Sequence, residues 1–189
     1  MISTIITDFD GTLVDTFEAN LRAYQKAFAE VGVNLTQEKY RQCFGCRFDR
    51  FMIEMAIFDE KKANIIKEAK KEFYPQFFKF LKLNHALLQL IDSFHMMGGK
   101  TAIASTARKE NLMNAVNYLG IVDSFDLIYS GVDVKIGKPS PEIYLKAMEA
   151  LDVKAKDVLI FEDSQVGIEA AQASGAHLMI VTPDQFLQM

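Results

Sequence analysis

No stretch of this 189-residue chain approaches the ~18 consecutive apolar residues of a membrane-spanning helix. The opening Met1-Ile2-Ser3-Thr4 lacks the basic segment and long apolar run of a signal peptide. Basic charge is in deficit: 21 Lys and Arg against 25 Asp and Glu leave a net charge of −4, which gives no hint of nucleic-acid binding. Cysteine is scarce, two residues, which favours free thiols over a disulfide scaffold. There is no internal repeat, low-complexity tract or block of like charge. The expectation is a cytoplasmic protein, monomeric, with neither membrane nor nucleic acid among its partners. What is present is apolar: half the residues are hydrophobic and 15 are Phe, ample for a packed core.

The pattern along the chain predicts two kinds of structure. Ser3–Phe9 reads as a buried strand running into the turn dipeptide Asp10-Gly11. Phe17, Leu21, Tyr24, Phe28 and Val31 then recur at steps of four and three, one face of a helix, with Gly32 at its end. Residues 36–82 contain no convincing strand, and Pro75 begins or kinks a helix there. From Asn84 strands and helices alternate. Helices are expected at 86–97, 107–119, 141–151 and 165–174, and strands at 101–104, 126–129, 158–161 and 178–181. Such alternation implies an α/β fold, a Rossmann-like parallel sheet with helices on both faces. The expected division is an α/β core of residues 1–14 and 84–189, with residues 15–83 inserted as a small helical cap.

In a parallel sheet, ligands sit at the carboxyl ends of the strands. The first strand delivers Asp8 and Asp10, expected to point the same way because strand side chains alternate. The strand at 101–104 delivers Ser105 and Thr106, and that at 158–161 delivers Glu162 and Asp163. A loop after 126–129 carries Lys138, whereas the last strand leads only to Thr182-Pro183. Several carboxylates around one point, without His or Cys, suit a hard cation, magnesium above all. Lys138 then reads as a counter-charge to a phosphoryl group, and Ser105 as a donor to one of its oxygens. A carboxylate can attack phosphorus, and a second one can pass a proton to the leaving oxygen.

At these residues the chain resembles the haloacid dehalogenase superfamily. Asp8-Phe9-Asp10-Gly11-Thr12-Leu13-Val14-Asp15-Thr16, Ile103-Ala104-Ser105, Gly137-Lys138-Pro139-Ser140-Pro141-Glu142 and Phe161-Glu162-Asp163-Ser164-Gln165 are similar to its four motifs, in order. The resemblance is to the beta-phosphoglucomutase and phosphoglycolate phosphatase branch. It implies Asp8 as nucleophile and Asp10 as general acid and base. It also implies magnesium on Asp8, the Asp10 carbonyl and Asp163, with Glu162 nearby, and phosphate on Ser105 and Lys138. Asp10 and the Glu162-Asp163 pair imply phosphate esters rather than haloacids, because the true dehalogenases bind no magnesium. The implied substrate is a small phosphorylated metabolite.

The chain departs from beta-phosphoglucomutases at two positions. Asn20 stands four residues after Thr16, where those enzymes have His, and Phe48 stands where they carry a cap-loop Arg, flanked by Arg47 and Arg50. Hydrolysis is therefore favoured over a mutase reaction. The other alternative is a non-catalytic protein that kept the fold, although no catalytic carboxylate is missing. Thr16, Asn20, Arg47, Thr106 and Arg108 are the candidates for substrate contact, against the plainer reading of capping or surface residues. Cys43-Phe44-Gly45-Cys46 is a lone Cys-x-x-Cys without a second pair, read as two ordinary thiols. His85, His95 and His177 read as structural.

Overall fold

A strand that is buried along its whole length, as Thr4–Thr7 (β1) is, belongs in the middle of a sheet covered on both faces. The computed structural model describes residues 1–182 and Phe186; Pro183, expected to follow the last strand, lies outside the described residues. After β1 the chain forms β2 (Val14–Asp15), then four helices, α1 (Phe17–Ala29), α2 (Gln37–Cys43), α3 (Phe48–Glu54) and α4 (Glu60–Phe73). A 3-10 helix, Tyr74–Phe80, follows, with Pro75 in its first turn. Next come β3 (Lys82–Leu83), α5 (His85–Met96), β4 (Lys100–Ala104), α6 (Lys109–Leu119) and β5 (Leu127–Tyr129). The described chain closes with α7 (Glu142–Ala150), β6 (Val158–Glu162), α8 (Gln165–Ala173) and β7 (His177–Ile180).

The sheet has the order β5-β4-β1-β6-β7, and all its pairs are parallel. Thr4 aligns with Lys100 on one side and Val158 on the other. The chain works outward from β1 through β4 to β5, then returns to build β6 and β7 on the far side. The direction of winding reverses between β1 and β6, the place where ligands of such sheets bind, at the carboxyl ends of the strands.

The chain divides into two compact units, residues 1–15 with 82–189, and residues 16–81. The first unit packs Ile6, Ala104, Ile143, Tyr144, Ile160 and Ala170 between sheet and helices. The second is helical and buries Leu21, Phe28, Leu35, Tyr40, Phe51 and Ile66. Its core is a raft of rings, among them Tyr24 edge-on to Phe51 at 5.0 Å and Phe17 edge-on to Phe44 at 5.3 Å. Helix starts follow the sequence: Thr36, Asp59, Asn84 and Ser164 each accept a backbone N–H of the first turn. Among the described residues no helix is long and apolar enough to cross a membrane.

Two expectations are corrected. β1 ends at Thr7; Asp8 still pairs with Phe161 through its N–H, but the chain turns at Phe9, so Asp10 is not placed by strand alternation. The strand yields because Gly11 N–H bonds Val14 O and Val14 N–H bonds Phe9 O, folding the chain back. Asp15 pairs with Lys82 in the antiparallel ribbon of β2 and β3, which puts a strand residue at position 82, inside the stretch expected to hold none. Two-residue strands carry no periodicity to read.

Candidate active site

The carboxyl ends of β1 and β6 hold a knot of charge. Asp8 continues the β1 pairing through its N–H on Phe161 O, 3.0 Å, which brings its carboxylate beside the end of β6. Lys138 arrives from the loop after β5 with its side chain only 2% exposed. Its ammonium donates to Asp8 Oδ1 at 2.6 Å, to Glu162 Oε1 at 2.5 Å and to the Ala104 carbonyl at 3.0 Å. A lysine has three N–H bonds, and all three are used. Its site is set by the ends of β1, β4 and β6 together.

Glu162, the last residue of β6, is fully buried and saturated. Its Oε1 accepts from Lys138 and from the Tyr144 hydroxyl at 2.9 Å. Its Oε2 accepts from Asp163 N–H at 2.9 Å, Ser164 N–H at 3.1 Å and Ser164 Oγ at 3.2 Å. A Cβ on Gly167, one turn into α8, would collide with this carboxylate. Asp163 accepts from Thr12 Oγ1 at 2.6 Å. Gly11 lies against it with φ +97°, where a side chain would both strain the backbone and strike the Asp163 carboxylate.

Asp8, Glu162 and Asp163 each offer a carboxylate oxygen within 4.8 Å of the others. Burial pushes the Asp8 carboxyl well up; Lys138 opposes this, and Glu162, Asp163 and Asp10 add to the rise. Burial would lower Lys138, but Asp8, Tyr144 and Glu162 raise it well above the lysine range, so it stays an ammonium. Burial would likewise raise Glu162, yet Lys138 and the Tyr144 and Ser164 hydrogen bonds hold it low. Asp163 is pushed up to about 6, by burial first, with Thr12 pulling down and Glu162 pushing up. Three carboxylates against one ammonium leave an excess of negative charge in a dry place. That is the condition a divalent cation relieves, and the all-oxygen donor set fits magnesium.

The remaining candidates belong to both units. Ser105, buried just past β4, donates to Asp10 Oδ2 at 3.3 Å and accepts from Ala107 N–H at 3.0 Å. Thr106 follows it in the same loop, and Arg108 is the N-cap residue of α6. Thr16 and Asn20 are buried at the start of α1 in the helical unit. Arg47 precedes α3 there and pairs with Asp49 at 3.5 Å. Cys43 and Cys46 are free, and burial raises both thiols.

Sequence reasoning missed Tyr144, Thr12 and the Ala104 carbonyl. Tyr144 had a signal: a Tyr rather than a Phe on the sheet-facing side of a helix needs a partner for its hydroxyl.

The chain matches the haloacid dehalogenase-like hydrolase family over residues 5–181. It is 29% identical over 177 residues to the phosphorylated carbohydrates phosphatase of Thermotoga maritima, covering 92% of this chain and 82% of that protein. The crystal structure of CbbY from Rhodobacter sphaeroides in complex with phosphate aligns with a TM-score of 0.87 at 27% identity, over 100% of this chain and 90% of that one. A CbbY mutant in complex with xylulose-(1,5)-bisphosphate aligns with a TM-score of 0.83 at 28% identity, over 95% and 86%. With nearly its whole length matched and phosphatases among its relatives, the chain belongs to the haloacid dehalogenase-like hydrolase family and is a phosphoric monoester hydrolase.

Proposed function

We propose that the enzyme is a magnesium-dependent phosphatase of a small phosphorylated sugar, with Asp8 as its nucleophile. The observation that carries this reading is the buried Asp8 carboxylate, bonded to Lys138 at 2.6 Å and grouped with Asp163 and Glu162. Asp8, the Asp10 carbonyl and Asp163 would hold the ion, with Glu162 behind them. When bound, magnesium neutralises charge on the phosphoryl oxygens and aligns the group for in-line attack.

The chain's own residues account for the rest. An Asp8 oxygen forms the bond to phosphorus while the ester oxygen leaves and takes a proton from Asp10. Asp10 then takes a proton from water; the water oxygen bonds to phosphorus, and Asp8 leaves as the free carboxylate. Ser105, bonded to Asp10, holds that carboxylate in place. Lys138 keeps positive charge at the attacking group and at the phosphoryl oxygens. The helical unit, residues 16–81, serves in this reading as a cap that selects the substrate, with Thr16, Asn20 and Arg47 its candidate contacts. Thr106 and Arg108 are the candidates on the core side. The sugar class is taken from the carbohydrate phosphatase and CbbY relatives. Asn20 in place of the mutase His favours transfer to water over transfer to a second hydroxyl. Free thiols fit a cytoplasmic compartment.

The test is a panel of phosphorylated sugars and an aryl phosphate, assayed with and without chelator, for wild type and Asp8→Asn. The expected result is inorganic phosphate release that needs added magnesium, with acid-stable label on Asp8 in rapid quench. Isomerised sugar phosphate as the product would assign a mutase instead. Full activity in excess chelator, or in Asp8→Asn, would refute the mechanism.

A further inference from the structure

We propose that Tyr144 is a positioning residue that sets how the Lys138 ammonium is shared between Glu162 and Asp8. Tyr144 lies on α7, wholly buried among the core residues under the sheet. Its hydroxyl donates to Glu162 Oε1 at 2.9 Å, the same oxygen that accepts from Lys138. Its ring lies beneath the ammonium, 4.9 Å from centroid to Nζ. Tyr144 thus touches both Lys138 and Glu162.

The geometry leaves few freedoms. Glu162 Oε2 is fixed by two backbone N–H groups and Ser164 Oγ, so the carboxylate has no room to swing. The third N–H of Lys138 is committed to the Ala104 carbonyl. What remains variable is how strongly each carboxylate draws the ammonium. The Tyr144 hydroxyl engages a lone pair of Oε1 and so weakens that oxygen as an acceptor for Lys138. Asp8 keeps its share of the positive charge. Without the hydroxyl, Oε1 has only Lys138, and the ammonium is drawn toward Glu162 and off the attacking carboxylate. This inference rests on the reading of Asp8 as nucleophile.

Tyr144→Phe tests it, because the ring, its packing and its contact with the ammonium are all kept. The expected result is a drop in kcat of about tenfold, the scale of one hydrogen bond to a charged group, with KM within about twofold. Single-turnover quench should show the loss in formation of the Asp8 acyl phosphate. A merely structural role would lower the melting temperature but leave kcat per folded molecule unchanged. Glu162→Gln supplies the second arm: if Tyr144 acts through Glu162, adding Tyr144→Phe to that background should cost far less than it does alone. An unchanged kcat in Tyr144→Phe, or an undiminished tenfold loss on the Gln background, overturns the inference. Asp8→Asn separates the two readings. Inactive Asp8→Asn beside wild-type kcat in Tyr144→Phe removes this inference alone, whereas active Asp8→Asn removes the nucleophile and the inference with it.

Discussion

Each unit of this molecule withdraws a lysine from water, and the two do it differently. In the α/β unit Lys138 sits between carboxylates, with Asp8 and Glu162 both within 2.6 Å. In the helical unit Lys70 is buried on α4 with its ammonium 3.6 Å from the Tyr74 ring centroid and 5.3 Å from that of Tyr24. The first arrangement brings like charges close around one cation and stays electrically unfinished. The second sets a charge against ring faces inside an aromatic core. Reactivity follows the first kind of burial: buried charge becomes useful where it is held by rigid backbone and not fully neutralised.

The comparison can be broken at Lys138. Lys138→Met leaves the buried Asp8 and Glu162 carboxylates with no cation, and removal of one partner from a buried pair costs about 3–5 kcal/mol. Urea unfolding should show that loss, turnover should fall by at least about a hundredfold, the scale of a lost charge-stabilising group, and magnesium should restore part of the stability. Stability equal to wild type in chelator would mean that the carboxylates do not depend on Lys138.

A smaller effect is expected from pH. The Asp163 carboxyl is raised from 3.8 to about 6 in the folded protein. Between those values the folded chain holds a proton that the unfolded chain has released. Its contribution to stability is therefore full below about pH 4 and is lost as pH rises through about 6. Holding that proton is worth about 1.4 kcal/mol for each pH unit of the interval, so the loss is about 2–3 kcal/mol. In chelator, the wild type should lose more stability from pH 4 to 7 than Asp163→Asn does, and saturating magnesium should remove the difference. Parallel pH curves for the two proteins in chelator would contradict the raised carboxyl.

Lys70→Met sharpens the contrast from the other side. It should cost about 1 kcal/mol, the scale of a cation–ring contact, with kcat of the folded enzyme unchanged. A loss of turnover as large as that of Lys138→Met would erase the distinction between the two lysines. Smallest of all, Cys46→Ser should change stability by no more than about 0.5 kcal/mol. Labelling of either thiol at neutral pH should be slow, because burial raises both; rapid labelling would speak for a reactive pair.

Much of this site was legible because its parts sit at strand ends, where alternating strand and helix patterns place them in advance. Asp8, Ser105, Glu162 and Asp163 each follow or close an apolar run that became a strand. Lys138 was legible as a cation near that edge, but its three partners were not, since Ala104 contributes only a carbonyl. Glu162 read as one carboxylate among several; nothing in its neighbours along the chain announces five donors. Tyr144 and Thr12 escaped because side-chain hydrogen bonds across 18 and 151 residues leave no local pattern. The β2–β3 ribbon escaped for want of length, and the turn after Thr7 because backbone bonds from Gly11 and Val14 outweigh strand propensity there.

The strand order has a consequence for how the chain is made. β1 is made before every other element described here and is the central one in the sheet, yet its partners begin at Lys100 and Val158. Its buried apolar residues and both its backbone edges must wait through most of synthesis, which proceeds at about 5–20 residues per second. Residues 16–81 hold a core of their own and need nothing downstream of Leu81 to form it. The nascent chain is thus expected to carry a folded helical unit beside an unpaired β1. Truncations that stop before β6 should leave one edge of β1 open and aggregate, a hazard that pairing with Val158–Phe161 removes.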